Sequence, residues 1–167
     1  MGSFRMRIEQ VVVNASPLIV LMRSGQAELL PQLFREIVIP EVVWQEVVAG
    51  GHLDQAALGL QAAPWAKPTP VGLSPRVTAW NLGAGESAVL TFALENPRYR
   101  AVLDDRAARR CASTLGIAIL GTGGVLVLAK RRSLLRSVKE GLDQLQQAGL
   151  WLSPEIINLL MKEAGEL

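Results

Sequence analysis

Thiol and imidazole chemistry are almost missing from this chain. Cys111 is the only cysteine and His52 the only histidine. One cysteine excludes an internal disulfide and a cysteine-rich zinc site, which favours a reducing, cytoplasmic setting. One histidine leaves no HExxH, so a zinc protease is a poor fit, and no nucleophile motif surrounds it to suggest a Ser-His-Asp triad. His52 follows Gly50-Gly51 and reads as a surface residue at a helix start. Long apolar runs are also lacking. The most apolar stretch, Ile117 to Ala129, is broken by Thr122 and three glycines and falls short of the ~20 residues a membrane-spanning helix needs. Arg5, Arg7 and Glu9 lead into Val11–Val13 and Asn14, which is not a signal peptide. Met1-Gly2 suggests myristoylation only superficially, because Met6 stands where a hydroxyl residue is required. A soluble protein is expected.

What is present suits one core. The chain has 167 residues, half of them apolar, enough to bury a core of useful size and too apolar for wholesale disorder. A formal charge of +2 neither demands nor excludes a nucleic-acid partner, so charge placement matters more than its total.

Short apolar strands alternate with helices. Strands are expected at Val11–Val13, Glu36–Ile39, Arg100–Leu103 and Ile117–Leu120. Helices are expected at Pro17–Arg23, with Ser16 as its cap, and at Gln26–Phe34, Pro40–Ala49, Leu53–Ala62, Gly85–Glu95, Asp105–Leu115 and Val125–Arg131. Two more follow at about Leu134–Ala148 and Pro154–Ala164. Pro64 to Pro75, with four prolines, reads as a loop that could hold a short extended piece. The alternation implies βαβ units and a parallel sheet covered on both faces. In such sheets ligands gather beyond the carboxyl ends of the strands.

Carboxylates fall where that rule directs attention. Asp104 and Asp105 follow Ala101-Val102-Leu103. A helix cap explains one of them; the second sets a like charge beside it, which a cation relieves. Glu46 lies, by helical period, near Val42 and Val43 on an inward-facing stripe, where burial without a partner is costly. An arginine partner is the plain alternative. Glu86 shares a stripe with Leu82, Val89, Leu90 and Ala93, though a first-turn acid also complements the helix dipole. Together they read as an oxygen-rich site for magnesium or manganese, hard cations that leave room for water and substrate phosphate.

Several stretches resemble the PIN domain family of metal-dependent nucleases, in particular its prokaryotic VapC-like branch. They are VVVNASPLIVL (Val11 to Leu21), IPEVVWQEV (Ile39 to Val47), LGAGESAVL (Leu82 to Leu90), AVLDDRAARRCASTLGI (Ala101 to Ile117) and GTGGVLVLAK (Gly121 to Lys130). The closing AGLWLSPEIINLLMKEAGE resembles the family's last two helices. The resemblance covers nearly the whole chain and implies a single α/β domain. The implied architecture is a PIN-like three-layer fold with a small, mostly parallel sheet flanked by helices, and a C-terminal helical pair over residues 134–167. Its acidic positions fall on Asn14, Glu46, Glu86, Asp104 and Asp105, implied to be catalytic, with the four carboxylates holding magnesium or manganese. Asn14 departs from the family's aspartate; it keeps a carbonyl oxygen and loses the charge, which weakens metal binding. Ser16 and Thr122 match small hydroxyl positions near the family's site, and helix-start capping explains them equally.

The implied activity is hydrolysis of RNA by a metal-activated water, as the toxin-like member of a pair with an antitoxin protein; a homodimer is the family-level expectation. Arg106, Arg109 and Arg110 share a helical face behind the Asp pair and suit a phosphate backbone. Lys130, Arg131, Arg132, Arg136 and Lys139, with Arg98 and Arg100, form a second basic group. Such runs are more often solvated faces. Trp44 and Trp151 read as packing residues. Asn14 raises a second reading, a PIN-fold protein that binds RNA or a protein without cutting. A third, a dinucleotide-binding fold, rests on Gly83-Ala84-Gly85-Glu86-Ser87-Ala88, but Val77 to Asn81 before it is not a convincing strand.

Overall fold

A computed structural model describes residues 8–51 and 54–167; the readings made above on Met1, Gly2, Arg5, Met6, Arg7, His52 and Leu53 lie outside the described residues. Strand β1 (Gln10–Val13) leads into helices α1 (Ala15–Arg23) and α2 (Leu29–Leu33). Strand β2 (Glu36–Pro40) precedes α3 (Glu41–Val48) and α4 (Gln55–Ala62). The proline-rich stretch supplies the short extended piece as β3 (Pro68–Thr69) and then a one-turn helix α5 (Pro75–Thr78). Helix α6 (Ala84–Glu95), β4 (Arg100–Val102), α7 (Arg106–Leu115), β5 (Ile119–Leu120) and α8 (Thr122–Arg131) follow, and α9 (Val138–Gln147) and α10 (Pro154–Glu163) close the chain.

The five strands form one sheet in the order β3-β2-β1-β4-β5, every pair parallel, with Val12 beside Val38 on one side and Ala101 on the other. The expectation of a mostly parallel sheet becomes an entirely parallel one. Val11, Val12 and Val13 are fully buried, as a central strand covered on both faces requires, and this explains a β-branched run without polar alternation. Leu18, Leu21, Val89, Leu90, Leu126 and Leu142 join the same core.

Four details differ from the sequence reading. Asn14, extended at φ −81° and ψ 168°, is the N-cap of α1, and Ser16 lies inside the first turn with Pro17 behind it; a proline fits there because first-turn N–H groups have no partner within the helix. Helix α8 begins at Thr122 rather than Val125, so Gly123 and Gly124 are helical. Gly123 is small for a reason: a Cβ would come 2.5 Å from Leu160 of α10. The helices expected from Gln26 and Leu134 start later, at Leu29 and Val138, the second behind the Ser137 cap. Trp151 is 79% exposed, because Leu150 and Leu152 on either side of it take the inward positions; Trp44 does pack on the core.

The tail is tied down electrostatically. Glu166 accepts from the backbone N–H groups of Val138 (2.6 Å) and Lys139 (3.2 Å) at the start of α9 and from Lys130 Nζ (3.0 Å). Arg131 and Arg132 donate to backbone carbonyls of Glu163 and Leu33. Lys130, Arg131 and Arg132 of the second basic group thus hold the fold. Arg98 and Arg100 stand at the amino end of β4, away from Asp104.

Candidate functional site

Chain order in the sheet reverses between β1 and β4: the chain moves outward from β1 through β2 to β3, then returns to place β4 and β5 on the other side. Loops that leave the carboxyl ends of strands flanking such a reversal diverge and leave a crevice. Asn14 sits there, 4% exposed, its N–H donating to Val102 O at 3.0 Å across the reversal.

Beside it lies an open depression of about 370 Å³ lined by Asn14, Ser16, Arg23, Glu46, Glu86 and the turn at Gly149. Glu46 reaches it from α3. The core stripe of that helix is Val43 and Val47, and Glu46 lies on its flank, exposed as a residue rather than inward-facing as the period suggested. Its carboxylate nonetheless has a raised pKa, first through partial burial and then through the charge of Glu86, offset by an N–H bond from Gly85. Glu86, half-buried in the first turn of α6, completes the acidic pair. The arginine alternative does not hold: among the described residues neither glutamate forms an ion pair.

Gly85 is the floor of this arrangement, and sequence reasoning had assigned it only to a glycine fingerprint. A Cβ there would come 2.9 and 3.1 Å from the Glu46 carboxylate oxygens and 3.1 Å from Asn14 Oδ1. A glycine is therefore what lets Glu46 and Asn14 converge. The dipeptide spacing Gly85-Glu86 carried that signal. Nothing in the sequence singled out Arg23 or Gly149.

The Asp pair divides its work. Asp105 accepts from Ala108 N at 2.9 Å and caps α7, the plainer of its two readings. Asp104 is half-buried and wholly engaged with Thr122: Oδ1 accepts from the backbone N–H at 2.9 Å and Oδ2 from the hydroxyl at 2.6 Å. Thr122 is fully buried, so its hydroxyl fixes Asp104 and does not face solvent. Neither aspartate lines the depression. Among the described residues no three His, Cys, Asp or Glu side chains stand close enough to hold a metal ion, so the expected convergence of four carboxylates is not drawn together here. The cause is local: Asp104 is drawn to the start of α8, while Glu46 is held at the start of α6. On α7, Arg106, Arg109 and Arg110 are exposed, and Arg109 reaches back beside Asp104, its Nη1 3.6 Å from where a Cβ on Gly121 would lie.

The donor set fits a hard divalent cation in kind. It offers only oxygens: two carboxylates whose mutual repulsion a cation would relieve, the Asn14 carbonyl and the Ser16 hydroxyl, around a space that only glycine leaves open.

A family model described as a PIN domain matches residues 10–166. No curated protein matches the chain significantly, and no solved structure does.

Proposed function

Because the chain belongs to the PIN domain family, whose members are in general nucleases, we propose that it is a magnesium- or manganese-dependent endoribonuclease of the VapC-like kind. The observation that carries this reading is the pair of carboxylates, Glu46 and Glu86, facing one depression without a basic partner at the reversal point of the sheet. Glu46 and Glu86 would hold the ion, with the Asn14 carbonyl beside them and Asp104, fixed by Thr122, on the neighbouring strand end. When bound, such an ion supplies hydroxide from water and offsets charge developing on the phosphodiester. Arg106 and Arg109 hold the RNA backbone, the sequence-independent part of recognition. Asp105 serves this site through the cap that positions α7. An antitoxin protein and a second copy of the chain are the protein partners this reading implies.

The test is incubation with structured RNA and manganese, with and without chelator, alongside Asp104→Ala and Glu46→Gln. Cleavage that survives chelation, or is unchanged in both variants, overturns the proposal.

One observation favours a second reading. A neutral, buried Asn14 stands at the strand end where the resemblance puts an aspartate, and only two carboxylates share the depression. A chain that binds RNA or a protein partner without cutting is the outcome if cleavage is absent until Asn14 is replaced by Asp.

A further inference from the structure

We propose that Arg23 is a phosphate-positioning residue for single-stranded RNA at the rim of the depression, an inference that rests on the ribonuclease reading above. Arg23 is the one basic side chain among the residues lining it, which include Glu46 and Glu86. Its guanidinium is held from outside: Nη2 donates to Asp54 Oδ1 at 2.9 Å, and Asp54 is itself fixed as the N-cap of α4 by accepting from Ala57 N at 3.0 Å. Among the described residues that is the only hydrogen bond Arg23 makes through its side chain, so Nη1 and Nε keep their protons for another acceptor. The side chain is 45% exposed, and it pairs with neither glutamate. Its charge is therefore spent on a helix cap at one edge and remains available at the other.

An RNA phosphodiester entering beside two carboxylates meets repulsion, and the non-bridging oxygens need a cationic donor in the same depression, which Arg23 lines. A planar guanidinium with two free donors, pre-oriented by Asp54, suits that contact better than a mobile ammonium. Asp54 is then part of the same device, since it fixes the plane in which Arg23 points.

The experiment measures binding of a short fluorescein-labelled single-stranded RNA by anisotropy, with chelator present to stop cleavage, across a salt series. Wild type, Arg23→Ala, Arg23→Lys and Asp54→Asn are compared. Each phosphate contact to a single strand contributes a slope of about 0.7 in log affinity against log salt. Arg23→Ala is expected to lose several-fold in affinity and about that much slope, while Arg23→Lys and Asp54→Asn keep the slope. An unchanged slope in Arg23→Ala overturns the inference and leaves the ribonuclease reading standing. Equal slope losses in Arg23→Ala and Arg23→Lys also overturn it, because a retained positive charge then does nothing for binding and Arg23 is a strut between helices. Wild type that binds no RNA overturns both. Arg23→Gln, which can still donate to Asp54, takes the place of the alanine variant if that one does not fold.

Discussion

Gly85 lies against the Glu46 carboxylate, its backbone partly offsetting that group's raised pKa and its missing side chain leaving the space the carboxylate occupies. Position and chemistry can be separated here. Alanine at position 85 would sit 2.9 Å from Glu46 Oε1, and the far end of a glutamate moves more cheaply than the buried Asn14. Alanine also favours a helix over glycine by up to about 1 kcal/mol. Gly85→Ala should therefore melt within experimental error of wild type while losing about tenfold in manganese-dependent cleavage, roughly 1.4 kcal/mol of transition-state stabilisation. Loss of stability without loss of cleavage would contradict the placement.

Replacing Asn14 by Asp puts a third negative charge at a position only 4% exposed, close to Glu46 and Glu86. Burying an unpaired carboxylate is costly. Asn14→Asp should lower the melting temperature in chelator and be rescued by manganese to a greater degree than wild type, with cleavage rising. Differential scanning fluorimetry with and without the ion reads this directly. Equal manganese shifts in the two proteins would show that Asn14 does not face the ion.

Thr122 supports Asp104 through both backbone and hydroxyl. Thr122→Val keeps the shape, retains the N–H contact and removes the shorter bond, which is charge-assisted. Denaturant unfolding should show a loss of about 1.5–3 kcal/mol, and cleavage should fall with it. An unaffected cleavage rate would remove Asp104 from the proposed site.

Glu166 predicts an acid limb of stability. Its pKa is lowered, chiefly by the Val138 N–H, with Lys130 and the Lys139 N–H contributing and desolvation opposing. A carboxylate depressed in the folded state stabilises fully above its ordinary value of 4.5. That contribution is lost as pH falls through the lowered folded value. Glu166→Gln should cost about 1–2 kcal/mol near neutrality, the scale of a helix cap. The difference from wild type should shrink as pH drops below that range in parallel urea titrations. A constant difference across pH would contradict it.

How far the sequence could be read depended on whether a signal was local. Val11–Val13 and Ala101–Leu103 announced buried parallel strands because continuous β-branched and apolar runs have little other use. That one of Asp104 and Asp105 caps a helix was legible for the same reason; that it is Asp105 is settled only by its contact with Ala108. Glu46 was read as inward-facing because helical period gives a face and not a depth; α3 is short, and the depression opens on its flank. Thr122 looked like a cap, and only the meeting of β4 with the start of α8 shows it to be the partner of Asp104. Arg23 carried no signal at all. Its meaning comes from Asp54, thirty-one positions away, and from a depression formed by four separate segments. The exposed Trp151 was misjudged because a tryptophan between two leucines looks buried until the turn after Gly149 decides which of the three faces inward.

The central placement of β1 sets a timetable for the nascent chain. Its first neighbour, β2, arrives after two short helices, whereas β4 closes the other side only after α3, α4, β3, α5 and α6 have passed. Closing so long a loop is entropically slower to nucleate. The depression beside Asn14 likewise draws on α3, α6 and the turn at Gly149, so it is complete only when late segments of the chain have docked. On the ribonuclease reading proposed above, competence emerges at the end of folding, and a partly made or locally opened chain would hold its chemistry in reserve.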